Sequence, residues 1–75
     1  MVTIRMYIAV KGGVEIVALD HEAARRYCRA AARRGITIVA VRPATETEVR
    51  AACGRLWASG CAQLPYAWRG DAAAQ

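Results

Sequence analysis

The chain opens on strict alternation. Val2, Ile4, Met6, Ile8 and Val10 fall on one parity, and Thr3, Arg5, Tyr7 and Ala9 on the other. That is the period-2 signature of a half-buried strand over residues 2–10. Lys11-Gly12-Gly13 follows as a hairpin turn, because adjacent glycines tolerate positive φ, and residues 14–19 form the return strand. The faces decide the register. A two-residue loop sets Val10 against Glu15 on the buried side, whereas a three-residue loop sets Val10 against Val14, Ile8 against Ile16 and Met6 against Ala18. A slip of one residue turns every side chain over, so the longer loop is predicted, with Gly13 in the left-handed region.

Asp20 then stands where a helix N-cap belongs, and Glu22 lies in the first turn, where the helix dipole favours an anion. The helix runs to Arg34 and stops at Gly35, the residue type that ends helices in a left-handed conformation. Ala24, Tyr27, Cys28 and Ala31 share one of its faces. Arg25, Arg26, Arg29 and Arg33 fall on the opposite face, within an arc of about 100°. Such a helix is amphipathic and lies on a sheet.

Residues 36–41 are apolar on both parities, the pattern of a strand covered on both sides or placed centrally. Pro43 ends the ladder. Thr45-Glu46-Thr47-Glu48 is a capping box that opens a second helix, with Val49, Ala52, Cys53 and Leu56 as its stripe, Trp57 at the edge and Gly60 at its close. Gly54 within this helix marks close packing or a kink. Leu64, Tyr66 and Trp68 alternate as a short last strand over residues 61–68, which Pro65 confines to an edge. The expected fold is therefore α+β: a single small domain over residues 1–69 in ββαβα(β) order. Its sheet is mainly antiparallel with two helices packed on one face, and residues 70–75 form a flexible tail. No internal repeat is present.

With 75 residues the chain has room for one domain and little interior in which to build an enzyme pocket. Its 56% hydrophobic content supplies a core and argues against intrinsic disorder. No apolar run approaches the ~20 residues of a membrane span. The alternating amino terminus is not a secretory leader. Cys28, Cys53 and Cys61 are odd in number and lack Cys-x-x-Cys spacing, which fits neither a disulfide framework nor zinc. A cytoplasmic protein with free thiols is expected, with no cofactor and no metal.

Catalytic groups are scarce. His21 and Cys28 share a helix face, but seven residues place them about 10 Å apart along the axis. Glu46 and Glu48 are accounted for by the start of the second helix, and Gly12-Gly13 lacks the spacing of a phosphate loop. No catalytic residue is assigned and no enzyme is expected. Charge is more informative. The net charge is +5, and ten of the eleven cations are arginine, the side chain that makes forked contacts with carboxylate or phosphate. Arg25, Arg26, Arg29 and Arg33, with Arg34 at the helix end, have only Glu22 to offset them, chiefly through Arg26. They are the candidate partner-binding surface. Arg5 and Tyr7 on the outward side of the first strand are candidates to join it. Trp57 and Trp68 are candidate anchors near the carboxyl end, since Trp and Arg are enriched at interface hot spots.

The run Val14-Glu15-Ile16-Val17-Ala18-Leu19-Asp20-His21-Glu22-Ala23-Ala24, followed by residues 36–41, resembles the strand–capped helix–strand unit of small phage-encoded inhibitors of the anti-CRISPR type. The likeness covers residues 2–42 and is one of layout. It implies a stoichiometric inhibitor that binds a bacterial defence (CRISPR-Cas) complex and obstructs its nucleic-acid channel. Positive charge argues against mimicry of DNA, so the arginine face would meet acidic side chains or guide and target phosphates. Two functions are therefore expected as rivals. One is a non-enzymatic interaction protein whose partner is a protein or ribonucleoprotein complex. The other is a small basic DNA- or RNA-binding protein using the same arginines. Either is a monomer or a homodimer, the latter through pairing of the hairpin edge.

Overall fold

The computed structural model describes residues 3–53, 57 and 60–64. Six elements follow in the expected order: β1 (Met6–Val10), β2 (Glu15–Ala18), α1 (His21–Arg33), β3 (Ile38–Pro43), α2 (Glu46–Cys53) and β4 (Cys61–Gln63). The four strands form one antiparallel sheet in the order β3-β1-β2-β4. The α+β class and the ββαβα(β) order are thus as the hydrophobic pattern dictates.

The hairpin has the register argued from its faces, with Met6 opposite Ala18 and Ile8 opposite Ile16. Its turn differs in one residue. Gly13 N–H returns to Val10 C=O at 3.3 Å, and the positive φ of 68° sits at Gly12 rather than Gly13. Gly12 occupies the third position of that four-residue turn, where a type II turn requires a left-handed residue. Gly13 is needed for a different reason: a Cβ there would run into Val10 Cγ2. The strand also begins later than its alternation. Ile4 lies beyond the last β1–β3 pair, Met6 with Pro43, and is exposed.

The helices lie on opposite faces of the sheet, not on one. Met6, Ile8, Ile16 and Ala18 pack under Ala23 and Ala24 of α1. The opposite parity, Tyr7 and Val17, packs with Ala62, Leu64 and Ala52 of α2. The physical reason is visible in the strands. Ile8 and Val17 are both fully buried yet have opposite parity, so each side of the hairpin exposes apolar surface and each requires its own layer.

β3 departs from expectation as well. Its two-sided apolar pattern suggested a central position, but it is an edge strand, exposed along most of its length. β1 is central because it takes its hairpin partner on one side and β3 on the other. β4 covers the other edge and starts at Cys61, ahead of the aromatic alternation. In α2, Cys53 is exposed and Glu48, not an apolar residue, is among its most buried positions. Gly60 closes a turn from Trp57, its N–H 3.1 Å from Trp57 C=O, and leads into β4. Gly54, Leu56, Pro65, Tyr66, Trp68 and residues 70–75 lie outside the described residues.

Candidate docking surface

α1 is fixed firmly at both ends. The Asp20 carboxylate accepts from Ala23 N–H at 2.8 Å, closing one of the orphan donors of the first turn. At the other end Gly35 has φ of 75°. Gly35 N–H reaches Ala32 C=O at 3.1 Å, and Ile36 N–H reaches Ala31 C=O at 2.9 Å. These paired bonds form a Schellman motif, which needs a left-handed residue that glycine supplies without strain. The buried residues of α1 are all alanine, Ala23, Ala24 and Ala31. Small side chains let the helix approach closely: a Cβ on Gly60 would stand 2.9 Å from that of Ala23.

With its alanine side on the sheet, α1 turns its arginines outward. Arg25, Arg26, Arg29, Arg33 and Arg34 are all exposed. Arg26 bonds Glu22 at 3.1 Å, as the i,i+4 spacing requires. Among the described residues the ion pairs are Arg26–Glu22, Arg42–Glu48 and Arg50–Glu46. None engages Arg25, Arg29, Arg33 or Arg34. The five cations are not one patch, however. Arg25 and Arg29 line a groove of about 340 Å³ with Met6, Cys28 and Val41, on the β3 side of the helix. Arg26 and Arg34 line another of about 510 Å³ with Tyr27, Ile36, Cys61 and Gln63, on the β4 side. Arg33 lies between, and Arg34 falls about 80° outside the arc of the others.

The remaining candidates separate from this surface. Arg5 is half-buried and donates to Leu19 C=O at 2.7 Å, a brace between the start of β1 and the entry to α1. Tyr7 is only 8% exposed. It does not join the arginine surface, because α2 covers its side of the sheet and the Arg42 guanidinium lies 3.8 Å from its ring centroid. Burial and a hydrogen bond to Glu15 push its phenol up to about 12. Trp57 is half-buried against the same α2-side cluster, on the sheet face away from α1. Trp68 lies outside the described residues.

Sequence reasoning missed the polar cluster beside Tyr7. Glu48 is 1% exposed. Its carboxylate accepts from both terminal nitrogens of Arg42, at 2.9 and 2.7 Å, and from Thr45 N–H at 2.8 Å. Thr45 Oγ1 accepts from Glu48 N–H at 3.2 Å, which completes the capping box. Burial alone pushes the Glu48 carboxyl up, but the bonds from Arg42 and Thr45 outweigh it and hold the group below its ordinary range. The Thr-x-x-Glu spacing announced the cap, but not the arginine three residues before it. Half-buried Cys61 shifts the other way from an activated thiol: burial raises it, although nearby Arg26 lowers it. Among the described residues no three His, Cys, Asp or Glu side chains converge as metal ligands. Nor is any described helix long and apolar enough to cross a membrane. Comparison with family models, with curated proteins and with solved structures returned no match.

Proposed function

We propose that this chain is a non-enzymatic interaction protein that docks on an anionic surface of a macromolecular complex through the outer face of α1. The observation that supports this reading is the exposure of Arg25, Arg29 and Arg33 on a rigidly capped helix, with no ion pair to any of them among the described residues. Three like charges on one helix face repel one another at i,i+4 spacing, and a partner's carboxylates or phosphates relieve that repulsion. Guanidinium suits the task because its planar fork makes two parallel bonds to one anion. The resemblance to phage-encoded inhibitors gives this reading its specific form. The partner is then a bacterial defence ribonucleoprotein, and the bound chain obstructs its access to nucleic acid.

The experiment is a pull-down from host lysate with tagged wild type and with Arg25→Glu/Arg29→Glu/Arg33→Glu, with and without nuclease. The expected result is a complex retained by the wild type in both conditions and lost by the variant, whose unfolding midpoint stays close to the wild-type value. Retention that disappears with nuclease reassigns the partner to nucleic acid. Three phosphate contacts then predict a log–log salt slope of roughly −3. Retention by the charge-reversed variant removes the arginine surface from the mechanism.

A further inference from the structure

We propose that the open edge of β3, together with the Arg25–Arg29 flank of α1, is a strand-addition site for an extended acidic–apolar segment of a partner protein. The inference rests on the docking reading above through those two arginines, and adds a backbone edge which that reading does not use.

The edge comes first. β3 ends the sheet on its side, and Val39 and Val41 are 63% and 45% exposed. Ala44 N–H donates to Arg5 C=O at 2.8 Å. Residues of an antiparallel ladder alternate between facing the partner strand and facing away. Arg42 and Ala40 therefore direct their backbone groups at β1, and Val41 and Pro43 direct theirs at the open side. Pro43 has no N–H to offer, so the outward donor at this end is Val41. Natural sheets blunt such an edge with charge. Here the charge on the strand is Arg42, and Glu48 already holds it on the α2 side.

The flank supplies the recognition. Val41 pairs with Ile8 and so shares the α1 face of the sheet. Beside it runs the groove of about 340 Å³, with Met6, Ala24 and Cys28 beneath and Arg25, Arg29 and His21 along it. A segment paired to β3 alongside Val41 would set a side chain over it and bring the next positions toward the two guanidiniums, while Val39 lies at the bulge where the β1–β3 register shifts. It must be extended, apolar on one parity, and acidic. A second copy of this chain does not meet those terms. Its β3, Ile38-Val39-Ala40-Val41-Arg42-Pro43, carries no acid, and each copy brings a net charge of +5. Strand addition with side-chain pockets is an established mode of peptide recognition.

The probe is a capped nonapeptide alternating glutamate and valine, with two controls: the same peptide N-methylated on alternate residues, and its lysine–valine counterpart. Binding is read by NMR titration, and Val41 by amide hydrogen exchange. The expected result is slowed exchange at Val41 with the acidic peptide. Val41→Pro, which removes an outward-facing N–H at a position where an edge strand accepts proline, should weaken binding about tenfold, as should Arg25→Glu/Arg29→Glu. N-methylation of the peptide should do the same without touching the protein's fold. Unchanged Val41 exchange, with equal binding of the N-methylated peptide, overturns the strand-addition site and leaves docking by charge alone. Equal binding of the lysine peptide also overturns it. Sedimentation of the free protein as a dimer, with Val41 already protected, overturns it in favour of a second copy. Loss of all anion binding in Arg25→Glu/Arg29→Glu/Arg33→Glu, with Val41→Pro unaffected, supports the docking reading and sinks this one.

Discussion

Replacing Glu48 by alanine should remove a large share of the stability of this fold. The side chain is 2% exposed and accepts three bonds, two from Arg42 and one from Thr45. A hydrogen bond to a charged group contributes ~1.5–3 kcal/mol, and a helix cap ~1 kcal/mol. The Arg42 side chain is 43% exposed, so once released its guanidinium regains water and that value is discounted for solvent screening. A net loss of ~2–3 kcal/mol results, against a total of roughly 4–11 kcal/mol for a chain this long. Urea unfolding followed by circular dichroism measures it. Arg42→Ala should cost more, ~3–5 kcal/mol, because it leaves a buried carboxylate without its cation. The pH dependence has a definite sign. The Glu48 carboxyl is held below its ordinary value of 4.5, so its contribution is present above that value and is lost as pH falls through the lower native one. The gap between wild type and Glu48→Ala should therefore close in acid. A loss under ~0.5 kcal/mol at neutral pH, the range of an ordinary surface change, would refute the reasoning. So would an Arg42→Ala variant more stable than Glu48→Ala.

Gly12→Ala should destabilise by ~1 kcal/mol through its positive φ alone, since nothing stands within 4 Å of the added Cβ; an unchanged urea midpoint contradicts the turn assignment. Ultraviolet titration should show the Tyr7 phenol ionising near 12, a signal that Tyr7→Phe removes. Its native value is raised, so the associated stability is intact below the ordinary phenol value near 10 and is lost as pH rises toward 12. Val39→Lys should leave stability within ~0.5 kcal/mol, as an edge position 63% exposed requires. Ile8→Ala on the central strand should cost ~2–5 kcal/mol. Similar losses at both positions would place β3 in the interior of the sheet.

The parts of the fold legible in the sequence are those that local chemistry decides. Asp20, Gly35 and the Thr45–Glu48 box sit at helix ends because capping is settled within a few residues. The hairpin register followed from a buried face that tolerates no slip. What stayed hidden depends on elements distant in sequence. Tyr7 looks like the outward residue of a half-buried strand until α2 covers it, and nothing near position 7 states that it does. Residues 36–41 have the pattern of a buried strand, yet among the described residues α1 packs mainly on β1, β2 and β4, and β3 is exposed over most of its length. The arginine arc was readable at 100° per residue, since the helix is regular. Its division between two grooves was not, because the strands on either side of α1 set those grooves.

The central claim is that α1 presents its arginines as an anion-docking face. Its most direct test is an NMR titration of the arginine Nε–Hε resonances with poly-L-glutamate. The account predicts that Arg25, Arg29 and Arg33 shift together with a single Kd, while Arg5 and Arg42, already bonded within the fold, stay in place. Equal shifts at Arg50, or movement of Arg5 and Arg42 with α1 silent, would contradict it.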